Sequence, residues 1–293
     1  MQVKLGIAPI AWSNDDLREL GGETPLEVFL SDAKKIGFDG VELGYKFPYD
    51  KKELKRILKD YDLELAGGWF SGNLLVQSVA QEQESLLREM ERRAYCDCYQ
   101  LVYAECSNTI QGKPLGLSKK PILTQDEIKE YAEKYSSLNA FVSKQGFSMG
   151  FHHHMGAIFQ YANEVDLFLQ YASLGSGLTF DTGHFYFAGA NPLEELKKHL
   201  HRVKHIHLKD VREQVKQEML QKDSSFLESV IAGVYTTPGD GVIDFKGILD
   251  FLKTTNYEGW LVIEAEQDPK KADPYEYSKK AYALVQDLLK GQP

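Results

Sequence analysis

Residues 178–210 read LTFDTGHFYFAGANPLEELKKHLHRVKHIHLKD, and this stretch decides the fold. Residues 178–181 are a short apolar run ending on Asp181, the pattern of a buried strand. Residues 191–201 read as a helix opened by Asn191-Pro192, because asparagine caps well and proline suits the first helical position. Residues 203–208 form a second apolar run, followed by Lys209-Asp210. Strand, helix, strand is the unit of a parallel sheet, since parallel neighbours need a crossover.

The unit recurs in both directions. Upstream, strands are predicted at 3–10, 40–45, 63–67, 99–105 and 147–153, with helices at 24–36, 51–59, 82–93, 124–144 and 164–171. Thr24 with Glu27, and Thr124 with Glu127, have capping-box spacing, and Gly37 is placed to stop the first helix. Downstream come a helix at 244–254, a strand at 260–265 and a closing helix at 274–289. Eight such units within 293 residues predict one α/β domain, residues 1–293, closed as a (β/α)8 TIM barrel. No glycine-rich dinucleotide fingerprint follows the first strand, and no Gly-x-x-x-x-Gly-Lys-Ser/Thr loop is present. Two connections are long, 106–123 and 211–241. The second carries Met219, Phe226, Leu227, Val230 and Ile231, and reads as an inserted lid or as a helix covering the rim.

Composition bounds the function. An apolar fraction of 43% with 26% charged residues belongs to a globular chain. A net charge of -9 argues against nucleic acid as a partner. No apolar run reaches the ~20 residues of a membrane helix. Met1-Gln2-Val3-Lys4-Leu5-Gly6-Ile7 reads as a strand and not as a leader, which predicts a cytoplasmic protein. Cys96, Cys98 and Cys106 are too few for a disulfide framework and read as packing residues in a reducing compartment.

The chemistry gathers at strand ends. Glu42, Glu105, His152, His153, His154, Asp181, His184, His207, Lys209, Asp210, Glu264 and Glu266 all fall there, and barrel strands converge their carboxyl ends on one opening. The remaining helix-end histidines, His199 and His201, read as surface residues. Side-chain alternation puts His152 with His154, His205 with His207 and Lys209, and Glu264 with Glu266. His152, Asp181, His207 and Glu264 therefore come from four adjacent strands and can hold one divalent ion. Two neutral imidazoles and two carboxylates balance its charge. Mixed nitrogen and oxygen donors favour Mn or Co, with Zn or Fe also suited, over Mg or Ca. Lys209 beside a cation would have its pKa lowered and could move a proton; otherwise it pairs with Glu42 or Glu105. Glu266 reads as a base or as a carboxylate orienting a ligand histidine. His184, Glu42, Trp12 and Trp69 are the candidate substrate contacts, the tryptophans either walling a pocket or packing the core.

At these residues the chain resembles the xylose isomerase-like barrel superfamily. The resemblance rests on Asp181-Thr182-Gly183-His184, on His205-Ile206-His207-Leu208-Lys209-Asp210 and on Gly259-Trp260-Leu261-Val262-Ile263-Glu264. That superfamily binds its metal through Glu, Asp, His and Glu of strands five to eight. The last three fall on Asp181, His207 and Glu264, while His152 stands where the family has its glutamate. Within it, the chain is similar to the inosose dehydratases of inositol catabolism. The matching segments are residues 6–16, Gly68-Trp69-Phe70-Ser71, Phe151-His152-His153-His154-Met155-Gly156, Pro238-Gly239-Asp240-Gly241 and Glu264-Ala265-Glu266-Gln267-Asp268-Pro269. This resemblance implies metal-dependent removal of water from 2-keto-myo-inositol, a cyclic polyol ketone, to give a trihydroxycyclohexane dione. His154, Lys209, Glu105 and Glu266 are its acid and base candidates, unranked. A homo-oligomer is common on this barrel.

Three other activities compete. An isomerase or epimerase would share the metal but return the proton, and the strand-five histidine counts against a two-glutamate epimerase. An endonuclease IV-type nuclease needs early histidines, yet none precedes residue 152. A non-catalytic sugar-binding barrel would hold no tight metal.

Overall fold

The structure is a computed structural model that describes residues 2–291. Eight parallel strands close into a barrel. They are β1 (Gln2–Ile7), β2 (Gly40–Leu43), β3 (Glu64–Gly72), β4 (Gln100–Glu105), β5 (Ser148–His152), β6 (Gly177–Asp181), β7 (Val203–Leu208) and β10 (Glu258–Ile263). The outer helices are α1 (Leu26–Ile36), α2 (Lys51–Asp60), α3 (Val79–Ala94), α4 (Gln125–Lys144), α5 (Ala162–Tyr171), α7 (Pro192–His199), α10 (Phe245–Lys253) and α11 (Pro274–Lys290). The predicted barrel is the observed one. Met1, part of the predicted leading strand, lies outside the described residues.

Every residue of β6 is buried, as expected of a strand covered on both faces. Between β4, β5 and the helices, Tyr131, Tyr135, Phe151, Phe159 and Phe168 interlock edge-to-face or tilted, with centroids 4.8–6.0 Å apart. Burying each such ring contributes roughly 2–3 kcal/mol.

Several boundaries differ from the sequence reading. The first strand stops at Ile7, because Pro9–Ala11 turns into a 3-10 helix. The Thr24 box does not form; Pro25 stands at the cap without a side-chain bond. The Thr124 box does form, with Thr124 N donating to Glu127 Oε2 at 2.7 Å. Gly37 ends α1 at φ 108°, a conformation open to glycine. The third strand runs on to Gly72, past a register shift opposite Val41/Glu42. This lengthening puts Trp69 and Phe70 on the strand itself.

A short helix, α6 (Thr182–Phe187), was not foreseen; Asp181 caps it by accepting from His184 N at 2.8 Å. His199 is buried against Asp166 (2.9 Å), contrary to the surface reading, and His201 is exposed. The 211–241 connection holds α8 (Glu213–Gln221) and α9 (Phe226–Ala232), framed by an antiparallel pair, β8 (Asp210–Val211) with β9 (Tyr235–Thr236). The Asp210 carboxylate closes this insert by accepting from the amides of Val211, Gly239, Gly241 and Ile243 at 2.8–3.0 Å. Phe226, Val230 and Tyr235 are completely buried, so the insert packs as part of the core. Among the described residues no helix is long and apolar enough to cross a membrane.

Candidate active site

A cavity of about 660 Å³ opens at the carboxyl ends of the strands. Parallel register sets its floor: Asp181 of β6 lies directly beside His207 of β7, and Val262 of β10 beside His207 on the other flank. Glu264 continues β10 one step above that level. Donor atoms of Asp181, His207 and Glu264 lie within 4.8 Å of one another.

The unused atoms are the informative ones. Asp181 Oδ1 is taken by the His184 amide, but Oδ2 has no hydrogen-bond partner. His207 Nδ1 and Glu264 Oε2 are also without one, although they sit 2.8 Å apart. Buried polar atoms are ordinarily paired. Three that converge unpaired form a set that fits a cation. His152 Nε2, 3.6 Å from Asp181 Oδ2, supplies a fourth donor. Glu42 lines the cavity with one carboxylate oxygen engaged. Its Oε1 is shared by His205 Nε2 (2.7 Å) and His207 Nε2 (3.2 Å), which turns His207 Nδ1 toward the donor set. Burial opposes the charge on Glu42, yet His207 and His205 hold its carboxyl well below the usual range. Burial likewise opposes a charge on His207, but Glu42 and Glu264 outweigh it and push the imidazole pKa well up.

Lys209 lies next to this set. Its Nζ, on a side chain only 1% exposed, is 2.8 Å from Glu266, 3.1 Å from Glu264 and 3.6 Å from Asp181. Its partners are therefore neither Glu42 nor Glu105. Burial acts to lower its pKa, but the three carboxylates win and hold it well above the ordinary value. The lowering expected from sequence is for Lys209 beside a bound cation. Burial drives Glu266 up to about 8 despite Lys209. Desolvation keeps His152, His154 and His184 neutral by lowering all three. His154 Nδ1 contacts Met155 O at 2.9 Å and must donate there, which leaves Nε2 as an acceptor. His184 is buried with both ring nitrogens engaged, Nδ1 by Met155 N and Tyr235 Oη, Nε2 beside Lys209.

Two candidates move out of the site. Glu105 has the parity of Leu101 and Tyr103, which pack toward the helices, and its carboxylate accepts from Ser107 N (3.0 Å), Ser107 Oγ and Leu75 N. It ties loops together. Trp12 is carried outward by the 3-10 turn; it packs on Phe29 at 5.0 Å and donates to Asp32 at 3.0 Å. Trp69 does line the cavity, its ring 5.3 Å from that of His152 and 5.7 Å from that of His154.

Sequence reasoning missed Tyr235 and Phe226, which reach the site from the insert, and the contact of Gln111 Nε2 with Asp16 Oδ2 (2.7 Å) across the mouth. It also passed over Asp15, whose carboxyl burial raises to about 6. Tyr235 meets a histidine 51 residues away, a pairing no local pattern announces.

Comparison with known proteins agrees with this geometry. Residues 30–286 match the family described as the xylose isomerase-like TIM barrel. An inosose dehydratase of Clostridium tetani (strain Massachusetts / E88) is 40% identical over 290 residues, covering 98% of this chain and 97% of that protein. The rhizopine catabolism protein MocC of Rhizobium meliloti is 41% identical over 283 residues, 96% of this chain and 87% of its own. Among solved structures, the IOLI protein with a binding zinc atom superposes with a TM-score of 0.67 at 15% identity, covering 98% of each chain. The chain belongs to the xylose isomerase-like TIM-barrel family and, within it, groups with the inosose dehydratases.

Proposed function

We propose that the protein removes water from 2-keto-myo-inositol, with a divalent ion held by Asp181, His207, Glu264 and His152. The observation that carries this is the convergence of unpaired Asp181 Oδ2, His207 Nδ1 and Glu264 Oε2 beside an acid-base cluster. Bound there, the ion supplies positive charge that polarises a ketone and favours loss of the adjacent proton.

The chain's own groups do the rest. Neutral His154, with Nε2 free to accept, takes the proton from the carbon next to the ketone. Glu266, protonated near neutral pH, gives its proton to the β-hydroxyl as the carbon–oxygen bond breaks, and the carboxylate left behind is met by Lys209 at 2.8 Å. The C–H electron pair becomes the new double bond and the hydroxyl leaves as water. The proton taken by His154 passes to solvent, and Glu266 is reprotonated from solvent before the next turnover. Trp69 walls the ring of the substrate. Mn or Co suits the mixed donors, with Zn or Fe as substitutes. The proposal further places the enzyme in the cytoplasm, as a homo-oligomer acting on a small polyol ketone, with neither nucleic acid nor a membrane surface as partner.

An isomerase would use the same first proton abstraction and return the proton. The test therefore reads product mass. Incubation of 2-keto-myo-inositol with the Mn- or Co-loaded protein gives a product lighter by one water, and chelator or His207→Ala abolishes it. A product of unchanged mass would overturn dehydration in favour of isomerisation.

A further inference from the structure

The insert between β7 and α10 reaches the reacting groups through one hydroxyl. Tyr235 of β9 is completely buried and places Oη 2.9 Å from His184 Nδ1. The amide of Met155, a group that can only donate, points at the same nitrogen from 3.3 Å. Among the described residues the Met155 amide finds no other acceptor, whereas the Lys209 ammonium has Glu266 and Glu264 at 2.8 and 3.1 Å. Nδ1 is therefore the unprotonated nitrogen, and Tyr235 donates to it as well. The proton of the neutral ring then sits on Nε2, which faces Lys209 Nζ at 3.3 Å and Glu266 Oε1 at 3.9 Å. A protonated Nε2 cannot accept from Lys209. The ammonium protons are thus left for Glu266, Glu264 and the substrate.

The surroundings hold this arrangement. Phe226 of α9 packs on His154 with centroids 4.7 Å apart and stacks on His184 at 6.1 Å. The Tyr235 ring lies 4.8 Å beneath Lys209 Nζ. The Met155 contact alone is long, so the Tyr235 hydroxyl is the stronger of the two bonds that fix the ring.

We propose that Tyr235 is a positioning residue: its hydroxyl locks His184 in the tautomer that leaves Lys209 free to serve Glu266 and the substrate. This rests on the dehydratase reading for its kinetic consequence, but not for the tautomer itself. Tyr235→Phe keeps the ring and removes only the hydroxyl. It should lower kcat roughly 10–100-fold, the range for partners that orient a site group. KM and bound metal should stay at wild-type values.

The deciding comparison is a double-mutant cycle with His184→Gln. If Tyr235 acts through His184, Tyr235→Phe costs nothing further in that background. Nitrogen NMR shifts of the His184 ring read the tautomer with no substrate present. They should report an unprotonated Nδ1 in the wild type and a mixture in Tyr235→Phe. Unchanged shifts, or kcat losses that multiply in the cycle, would overturn the proposal. Correct shifts in a protein that does not turn over inosose would leave the tautomer lock standing and remove the substrate assignment instead.

Discussion

Replacing Lys209 with methionine tests the electrostatic core of the site. The substitution keeps length and apolar bulk while deleting the one ammonium that touches Glu266, Glu264 and Asp181 at 2.8, 3.1 and 3.6 Å. Removing one partner of a buried ion pair costs about 3–5 kcal/mol, because the other charge stays buried. For a chain of this size each kcal/mol moves Tm by about 2–4 °C, so the metal-free variant should melt roughly 6–20 °C lower. A divalent ion on Asp181 and Glu264 compensates two of the three carboxylates, leaving Glu266 alone. Loaded Lys209→Met should therefore lose only a fraction of that. The pH dependence has a definite sign. Glu266 has a raised pKa, so it stays protonated until pH approaches about 8 and ionises above it. The deficit of the loaded variant should consequently grow as pH rises. Thermal melts in chelator and in Mn, each at mildly acid and mildly alkaline pH, read all four states. Equal losses with and without metal, or no loss in chelator, would refute the charge assignment.

Other consequences are more direct. His207→Ala should reduce bound metal to background by mass spectrometry and abolish turnover, since its Nδ1 faces the donor set while Glu42 holds its Nε2. Glu105→Gln should retain kcat, because its carboxylate faces loop amides, whereas Trp69→Ala should raise KM by removing the cavity wall; steady-state kinetics separates the two. His153 is buried against Phe185 at 3.9 Å, and burial lowers its pKa from 6.5 to about 3. The unfolded chain binds the proton first, so this residue's stabilisation is complete above pH 6.5 and lost as pH falls toward about 3. At about 1.4 kcal/mol per pH unit, that window spans on the order of 5 kcal/mol. His153→Leu should accordingly move the acid-unfolding midpoint to lower pH.

The barrel was legible because its signals are local. The 203–208 strand was read to the residue, and the Thr124 box with its Glu127 partner formed as spaced. The donor set was legible for a related reason. Strand alternation and parallel register convert sequence positions into a shared face, so Asp181 and His207 fall side by side. What was not legible depends on turns and on distant packing. The 3-10 turn at Pro9 swings Trp12 away from the mouth, and nothing in the string distinguishes that from a strand carrying on. A strand end alone does not put Glu105 in the site, because its parity with Tyr103 points it outward to the loop amides. Tyr235 needed the fold of the insert, which no periodicity encodes.

The histidine at the end of β5 has a consequence for charge. With a divalent ion present, Asp181 and Glu264 neutralise it, and with Glu266 protonated the Lys209 charge is balanced by that of buried Glu42. His152, kept neutral by burial, adds a donor without adding charge. A glutamate there would leave this buried set one negative charge in excess. A carboxylate there would also offer a second base to the site, the arrangement of a proton-returning enzyme. Neutral donors on β5 and a single protonated carboxyl beyond the ion instead favour one-way chemistry: a base of imidazole type removes a proton, and an acid of carboxyl type expels the hydroxyl. His152→Glu should therefore keep metal while losing dehydration. If His152→Glu dehydrates as fast as the wild type, charge at β5 does not govern the outcome and the argument from neutrality fails.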